Sequence, residues 1–249
     1  GAPKSTSTWG PNVWVEAAGL AVTDAELMRQ VYAVAAQRWF DEGMTSHFVL
    51  VPSWDLPLLD AWYRLGFGQQ HAHAIQPARA ADVLVPQVVV RRADRDDIDQ
   101  LAPLDLVLPQ HQGRSPVFSG SDLPTLEEAE AEWQESIADH DFANFVAEVD
   151  GAVVGAAIGC SLEKSNSNLS LAKPEQAGFL GFAAVLADAR GRGVGRALGE
   201  TVIGWSHEEG FTSVVTDWRV TNLLSSRAWP KLGFETTFLR LARTIGRAG

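Results

Sequence analysis

One run of residues has the types and spacing to hold an anion: Arg190-Gly191-Arg192-Gly193-Val194-Gly195-Arg196-Ala197. An apolar run at residues 178–186 precedes it, short enough for a buried strand, and a helical pattern follows it. In such a strand-to-helix turn, glycines let backbone N–H groups approach a ligand closely. The start of the helix adds unsatisfied donors and a partial positive charge. Arg190, Arg192 and Arg196 place three cations in the same turn. The expected ligand is a phosphate or pyrophosphate. Two phosphate motifs fail on the residues present. No Gly-Lys-Ser or Gly-Lys-Thr closes the run, so it is not a P-loop. The dinucleotide spacing G-x-G-x-x-G would need glycine at Arg196 or at Leu198.

The elements that must position this turn are repeated. Sliding the chain against itself by 167 residues lays residues 42–67 over 209–234 without a gap, and ten of the 26 pairs are identical, including Trp62/Trp229 and the triplet Leu65-Gly66-Phe67 over Leu232-Gly233-Phe234. Average usage would give about one or two. Each copy predicts a helix (24–42 and 194–209), a glycine that ends it (Gly43 and Gly210), and a strand (46–51 and 213–219). A second helix (56–65 and 223–232) follows Asp55 or Asn222 as N-cap, and a last strand (67–75 and 234–242) completes the unit. Ahead of the second copy lie a strand at 88–91, a helix at 95–101, a loop-rich stretch at 103–121 with three prolines and a helix at 126–139. A hairpin follows, at 144–160, turning at Asp150-Gly151. Only residues 13–22 precede the first copy's helix. The reading is a truncated unit at 1–75, a linker at 76–85 and a complete β-α-α-β-β-β-α-β-α-β domain at 86–249.

Composition excludes several classes. The 249 residues are 46% hydrophobic, enough for a packed core. Twenty Lys and Arg against 31 Asp and Glu give a net charge of −11, which argues against nucleic acid or an anionic membrane as partner. A single cysteine, Cys160, forms no internal disulfide and no Cys-based zinc site. No metal site is expected. With a polar start and no apolar stretch of about 18 residues, a cytoplasmic protein is expected, as monomer or homodimer. The pattern Asn168-Leu169-Ser170 is a glycosylation sequon by chance on this reading.

The turn also matches [RQ]-x-x-G-x-[GA] at Arg190, Gly193 and Gly195, and so resembles the acyl-CoA pyrophosphate turn of the GNAT superfamily of N-acyltransferases. Residues 185–193 resemble the family's exit from strand 4 into motif A. Asn222, followed eleven residues on by Gly233-Phe234, resembles motif B. The element order of 86–249 fits the same fold, so the chain resembles a tandem GNAT with a degenerate first half. The implied fold is α/β (α+β): a mixed central sheet flanked by helices, with a truncated repeat before it.

The resemblance implies an acetyl-CoA-dependent acetyltransferase acting on a small amine. Arg190, Arg192, Gly193, Val194, Gly195, Arg196 and Ala197 would hold the pyrophosphate. Backbone N–H groups near Val185 and Leu186 would hold pantetheine and the oxyanion, and Asn222 would contact the arm. An acidic chain suits a polyamine, an aminoglycoside-like amine or a basic amino acid, with a protein N-terminus or lysine as the second acceptor class. A non-catalytic acyl-CoA sensor is the rival function. The chain departs from the family where the chemistry would sit. Trp229 occupies the place of the usual acidic tyrosine, and its indole donates a hydrogen bond but no proton at neutral pH. Its pairing with Trp62 favours a core role. Ser225 or Ser226, a water, or no acid at all remain for the leaving thiolate. No carboxylate lies in 178–186, so Asp217 is the first candidate base and His111, in the expected loop, the second. At the same offset, residues 190–196 fall on 23–29, where Asp24 and Glu26 replace glycines and would repel a pyrophosphate. The first half is expected to bind no acyl-CoA and to pack beside the second.

Overall fold

The computed structural model describes residues 4, 10–81, 85–119, 123–165 and 173–246. The sequon at 168–170 lies outside them. Nine strands form one mixed sheet: β1 (Asn12–Val15), β2 (Ser46–Pro52), β3 (Gly68–Pro77), β4 (Val89–Arg92), β5 (Phe142–Val149), β6 (Ala152–Ser161), β7 (Ala177–Val185), β8 (Ser213–Arg219) and β9 (Glu235–Thr244). Among the described residues six α-helices accompany it: α1 (Ala25–Asp41), α2 (Leu56–Arg64), α3 (Ile98–Gln112), α4 (Leu126–Ala138), α5 (Val194–Glu208) and α6 (Leu223–Lys231).

The internal repeat reappears in the element bounds. β2 and β8, α2 and α6, and β3 and β9 have bounds that differ by the same 167 residues at both ends. Gly43, Gly66, Gly210 and Gly233 all have positive φ, which is why glycine ends each helix of both copies. Asp55 and Asn222 cap α2 and α6 through side-chain oxygens.

The strand order is β1-β2-β9-β3-β8-β7-β6-β5-β4. The two copies have therefore exchanged their last strands. β3, from the first copy, lies antiparallel to β8 of the second, while β9 lies antiparallel to β2 of the first. The exchanged strands pair with each other at the centre. Either strand satisfies the same ladder, because both carry the same pattern of inward and outward residues. β3 also runs through Gln76 and Pro77, two residues into the stretch read as a linker. Beyond it, Arg79 makes a two-pronged ion pair with the buried Glu200 of α5, at 2.8 and 3.0 Å.

Helices cover both faces. Leu198, Val202 and Ile203 of α5 and Trp229 of α6 pack with Ala72, Ala74, Val214 and Trp218 of the sheet. On the same face, Met28 and Tyr32 of α1 and Trp62 of α2 pack with Val49, Val51 and Leu241. The opposite face receives α3 and α4 through Leu101, Leu104 and Trp133. One expectation is corrected here. Residues 103–112 are helix, not loop: α3 continues through Pro103 and Pro109 to Gln112. Ile98, Leu101, Ala102 and Leu104 bury its apolar side, and packing overrides the interior prolines.

Candidate acyl-CoA cleft

β7 and β8 pair in parallel only from Ala177–Ser213 to Leu180–Thr216. Beyond Leu180 they diverge, and a register shift against β6 at Gly181 marks the place. The opening between them continues into a cleft of about 470 Å³. Its walls are Ala183, Ala184 and Val185 of β7, the turn before α5, the start of α6, and Val107, Leu108 and His111 of α3.

Backbone groups face this opening by the alternation of the antiparallel ladder. The Leu186 N–H donates to the Val154 carbonyl at 2.9 Å. Val185, paired with Gly155, is one residue out of phase and turns its N–H toward the cleft. So Val185 offers a free donor direction, whereas the Leu186 N–H, expected to serve pantetheine, is already committed to the sheet.

The turn itself is built to leave donors open. Gly193 is the N-cap of α5, with φ of 85° and no side-chain cap. A Cβ there would stand 2.8 Å from Val85 Cγ1, so both the backbone angle and the space require glycine. The first N–H groups of α5 therefore have no internal acceptor and point into the cleft. Gly191, Gly193, Val194, Gly195, Arg190 and Arg196 all line it. Arg192 does not: its guanidinium lies 3.5 Å from Asp150 in the hairpin turn. Ala197 is buried behind the turn. Two cations not anticipated from the sequence, Arg227 and Lys231, line the cleft from α6. Their spacing of four residues places them on one helix face, and that spacing was the available signal.

The candidate catalytic residues are spread out. His111 lies in the last turn of α3, not in a loop, and its Nε2 is 3.2 Å from Asn222 Oδ1. Asn222 is buried, and the same oxygen accepts from the Leu224 and Ser225 N–H groups. His111 and Asn222 thus join α3 to α6 across the cleft. Ser226 is turned inward and donates to the Val220 carbonyl at 2.9 Å, while Ser225 lines the cleft. Trp229 is 8% exposed, lines the cleft, and stands edge-on to Phe234, as Trp62 does to Phe67. Asp217 is the first residue of β8 past the divergence and projects from the face that carries α3 and α4. The only cysteine, Cys160, is buried, and burial pushes its thiol up to about 11, which makes it inert.

The corresponding place in the first copy is closed. Asp24 caps α1 by accepting from the Glu26 N–H, and Glu26 pairs with Arg29 at 2.8 Å. A carboxylate occupies the helix start where α5 leaves bare N–H groups.

Among the described residues, no group of three or more His, Cys, Asp or Glu could hold a metal ion, and no helix is long and apolar enough to cross a membrane. Comparison with known proteins agrees with the geometry. No curated protein sequence matches the chain. Among solved structures, it is similar to a GCN5-related N-acetyltransferase from Sphaerobacter thermophilus, with a TM-score of 0.56 and 15% identity over 89% of this chain and 69% of that one. It is also similar to a tandem GNAT protein from the clavulanic acid biosynthesis pathway, with a TM-score of 0.50 and 14% identity over 89% and 70% of the two chains. An aminoglycoside N-acetyltransferase in complex with CoA aligns with a TM-score of 0.50 and 22% identity, over 67% of this chain and 99% of its own. The model of the acetyltransferase (GNAT) family matches residues 107–234, just over half of the chain and the whole of the cleft. A glycine-capped helix start feeding a gap between two diverging parallel strands, together with that match, shows that the chain belongs to the GNAT family of acetyltransferases.

Proposed function

We propose that the chain moves an acetyl group from acetyl-CoA to the primary amine of a small molecule by direct attack. The observation that carries this reading is the uncapped start of α5 opening onto the gap between β7 and β8. The pyrophosphate lies on the N–H groups of residues 193–196, with Arg190 and Arg196 beside it and Arg227 and Lys231 facing the remaining phosphate charge. The pantetheine arm runs along Ala183–Val185, where the Val185 N–H meets it. The thioester then arrives at the point where β7 and β8 part.

The acceptor approaches from the α3/α4 face. Asp217 takes a proton from its ammonium, and the neutral nitrogen attacks the thioester carbonyl. The C–N bond forms and the C–S bond breaks. Of the two protons the nitrogen loses, one leaves through Asp217 and the other goes to the CoA sulfur. A thiol with a reference pKa of about 8.5 is a fair leaving group, so Trp229 in the family's tyrosine position does not block the reaction. Ser225, on the cleft wall, is the serine placed to pass that proton, and Ser226 is not. That one structural neighbour is an aminoglycoside N-acetyltransferase, and that this chain carries a net charge of −11, support a polycationic amine.

Thiol release from acetyl-CoA, measured with kanamycin, spermidine and lysine, tests the reading. Release with at least one amine is expected. Binding of acetyl-CoA with no release would replace the enzyme by a sensor. Asp217→Asn should slow turnover at least about tenfold with acetyl-CoA binding unchanged. An unchanged rate removes Asp217 from the mechanism.

A further inference from the structure

The strand exchange sets a histidine of the first copy against Asp217, just past the point where β7 and β8 part. Asp217 and His73 face each other directly across the β8–β3 ladder, on the same side of the sheet. His73 Nδ1 lies 3.9 Å from Asp217 Oδ2. Both side chains are mostly buried, that of Asp217 18% exposed and that of His73 11% exposed. The internal symmetry shows that the fold does not need this pair. At the equivalent positions of the other exchange, Arg240 of β9 faces Leu50 of β2. A carboxylate beside an imidazole is thus found on one side of the symmetry only, the side on which β7 and β8 diverge.

We infer that His73, on the strand donated by the first copy, is a positioning residue of the acetyl transfer: it receives from Asp217 the proton that the carboxylate removes from the acceptor ammonium. This rests on the acetyl-transfer reading above. At 3.9 Å the two groups are beyond a direct hydrogen bond, so the proton crosses through one bridging water: the neutral imidazole accepts at Nδ1, becomes imidazolium, and the Asp217 carboxylate is restored for the next turnover. The proton then passes to solvent, while the amine's other proton leaves on the CoA thiol. The surroundings favour that release. His71 follows the same face of β3, Arg219 that of β8 and Arg240 that of β9. Lys173 lines a cavity of about 50 Å³ that His73 also borders. Burial, with Arg240 and Arg219 adjacent, holds His71 well below the usual histidine range. Burial also brings Arg240 down to about 10. These neighbouring cations favour passing the proton on to solvent over holding it.

Two measurements on the full chain test this. Histidine ring NMR across pH 5–8 reads the pair with no acceptor present. Asp217→Asn should lower the His73 midpoint by at least about half a unit, since a neighbouring carboxylate stabilises the imidazolium. A midpoint that stays put overturns the pairing. The second arm follows thiol release with whichever of kanamycin, spermidine or lysine the wild-type chain acetylates. His73→Gln and His73→Asn should each lower kcat about tenfold at pH 7, keep KM for acetyl-CoA within about twofold, and lose the rise in kcat through the histidine range near pH 6.5. Wild-type rate and pH profile in both variants overturn the relay. A chain that binds acetyl-CoA but acetylates none of the three amines removes the acetyl-transfer reading, and the relay with it, even if the NMR midpoint moves.

Discussion

Helices α1 and α5 are the first helices of two copies of one unit, α1 beginning two residues earlier in the repeat register, and their starts do opposite things with the same backbone. At α5 the cap is a left-handed glycine, and the first N–H groups are left for a ligand. At α1 the cap is the Asp24 side chain, which satisfies one of those donors, the Glu26 N–H, and adds a negative charge. The rest of each unit follows suit. Behind α1, Tyr32, Trp39, Trp62 and Phe67 stack edge to face in a closed aromatic core. Behind α5, Trp229 borders an open cleft. A binding site in this fold is what remains when a cap and a few core contacts are withheld. The stability of the ligand-free helix start is exchanged for affinity.

The comparison can be broken at four points, from the largest effect to the smallest. Trp62 is fully enclosed, so Trp62→Ala should lower unfolding free energy by about 3–5 kcal/mol. Trp229→Ala, beside the cleft, should lower it by clearly less in the same urea titration, and equal losses would mean that the two cores are alike. Gly193→Asp should give α5 the acidic start of α1 and weaken acetyl-CoA binding about 100-fold by calorimetry, near 2.7 kcal/mol. Asp24→Ala should remove the cap of α1 at about 1 kcal/mol of stability while the stoichiometry stays at one acetyl-CoA per chain. Two molecules bound would show that charge alone had silenced the first copy.

The smallest effect depends on pH. His47 in β2 is buried, receives a hydrogen bond from the Tyr32 hydroxyl at Nδ1 and bonds the Met44 carbonyl through Nε2, so it is held neutral. Burial, and to a lesser degree the charge of Arg243, lower its pKa against the pull of the Met44 bond. A histidine depressed in the folded state contributes stability above its unfolded pKa and loses it as pH falls. Urea stability should therefore begin to decline below about pH 6.5. The equivalent residue of the second copy is Val214. His47→Val should flatten that decline, and an unchanged slope would place the acid sensitivity elsewhere.

Much of the site was legible in sequence because it is local. The glycine pattern at 190–197 and the cap at Asn222 are properties of neighbouring residues, and both border the cleft. Arg192 and Ser226 read as equal to their neighbours and are not. Rotation about a turn or a helix sends one to Asp150 and the other to the Val220 carbonyl, and no spacing rule reports that. The helix through Pro103 and Pro109 was hidden because tertiary burial outweighs local preference. The exchange of β3 and β9 was hidden for a deeper reason. The two strands hold equivalent places and share the same alternation of inward and outward residues, although no aligned pair is identical, so alternation alone does not tell the swapped arrangement from the unswapped one.

That exchange also sets an order of assembly. As the chain leaves the ribosome, β1 and β2 can pair early, yet the strand that flanks β2 is β9, nearly 200 residues downstream, with Ser46 waiting for Thr244. Until then β2 presents an open edge, and β3 has neither of its neighbours. Such non-local closure slows folding and leaves a nascent chain exposed to wrong pairing, including strand exchange with a second molecule. The ion pair of Arg79, two residues past β3, with Glu200 of α5 ties the exchanged strand to the second copy within one chain.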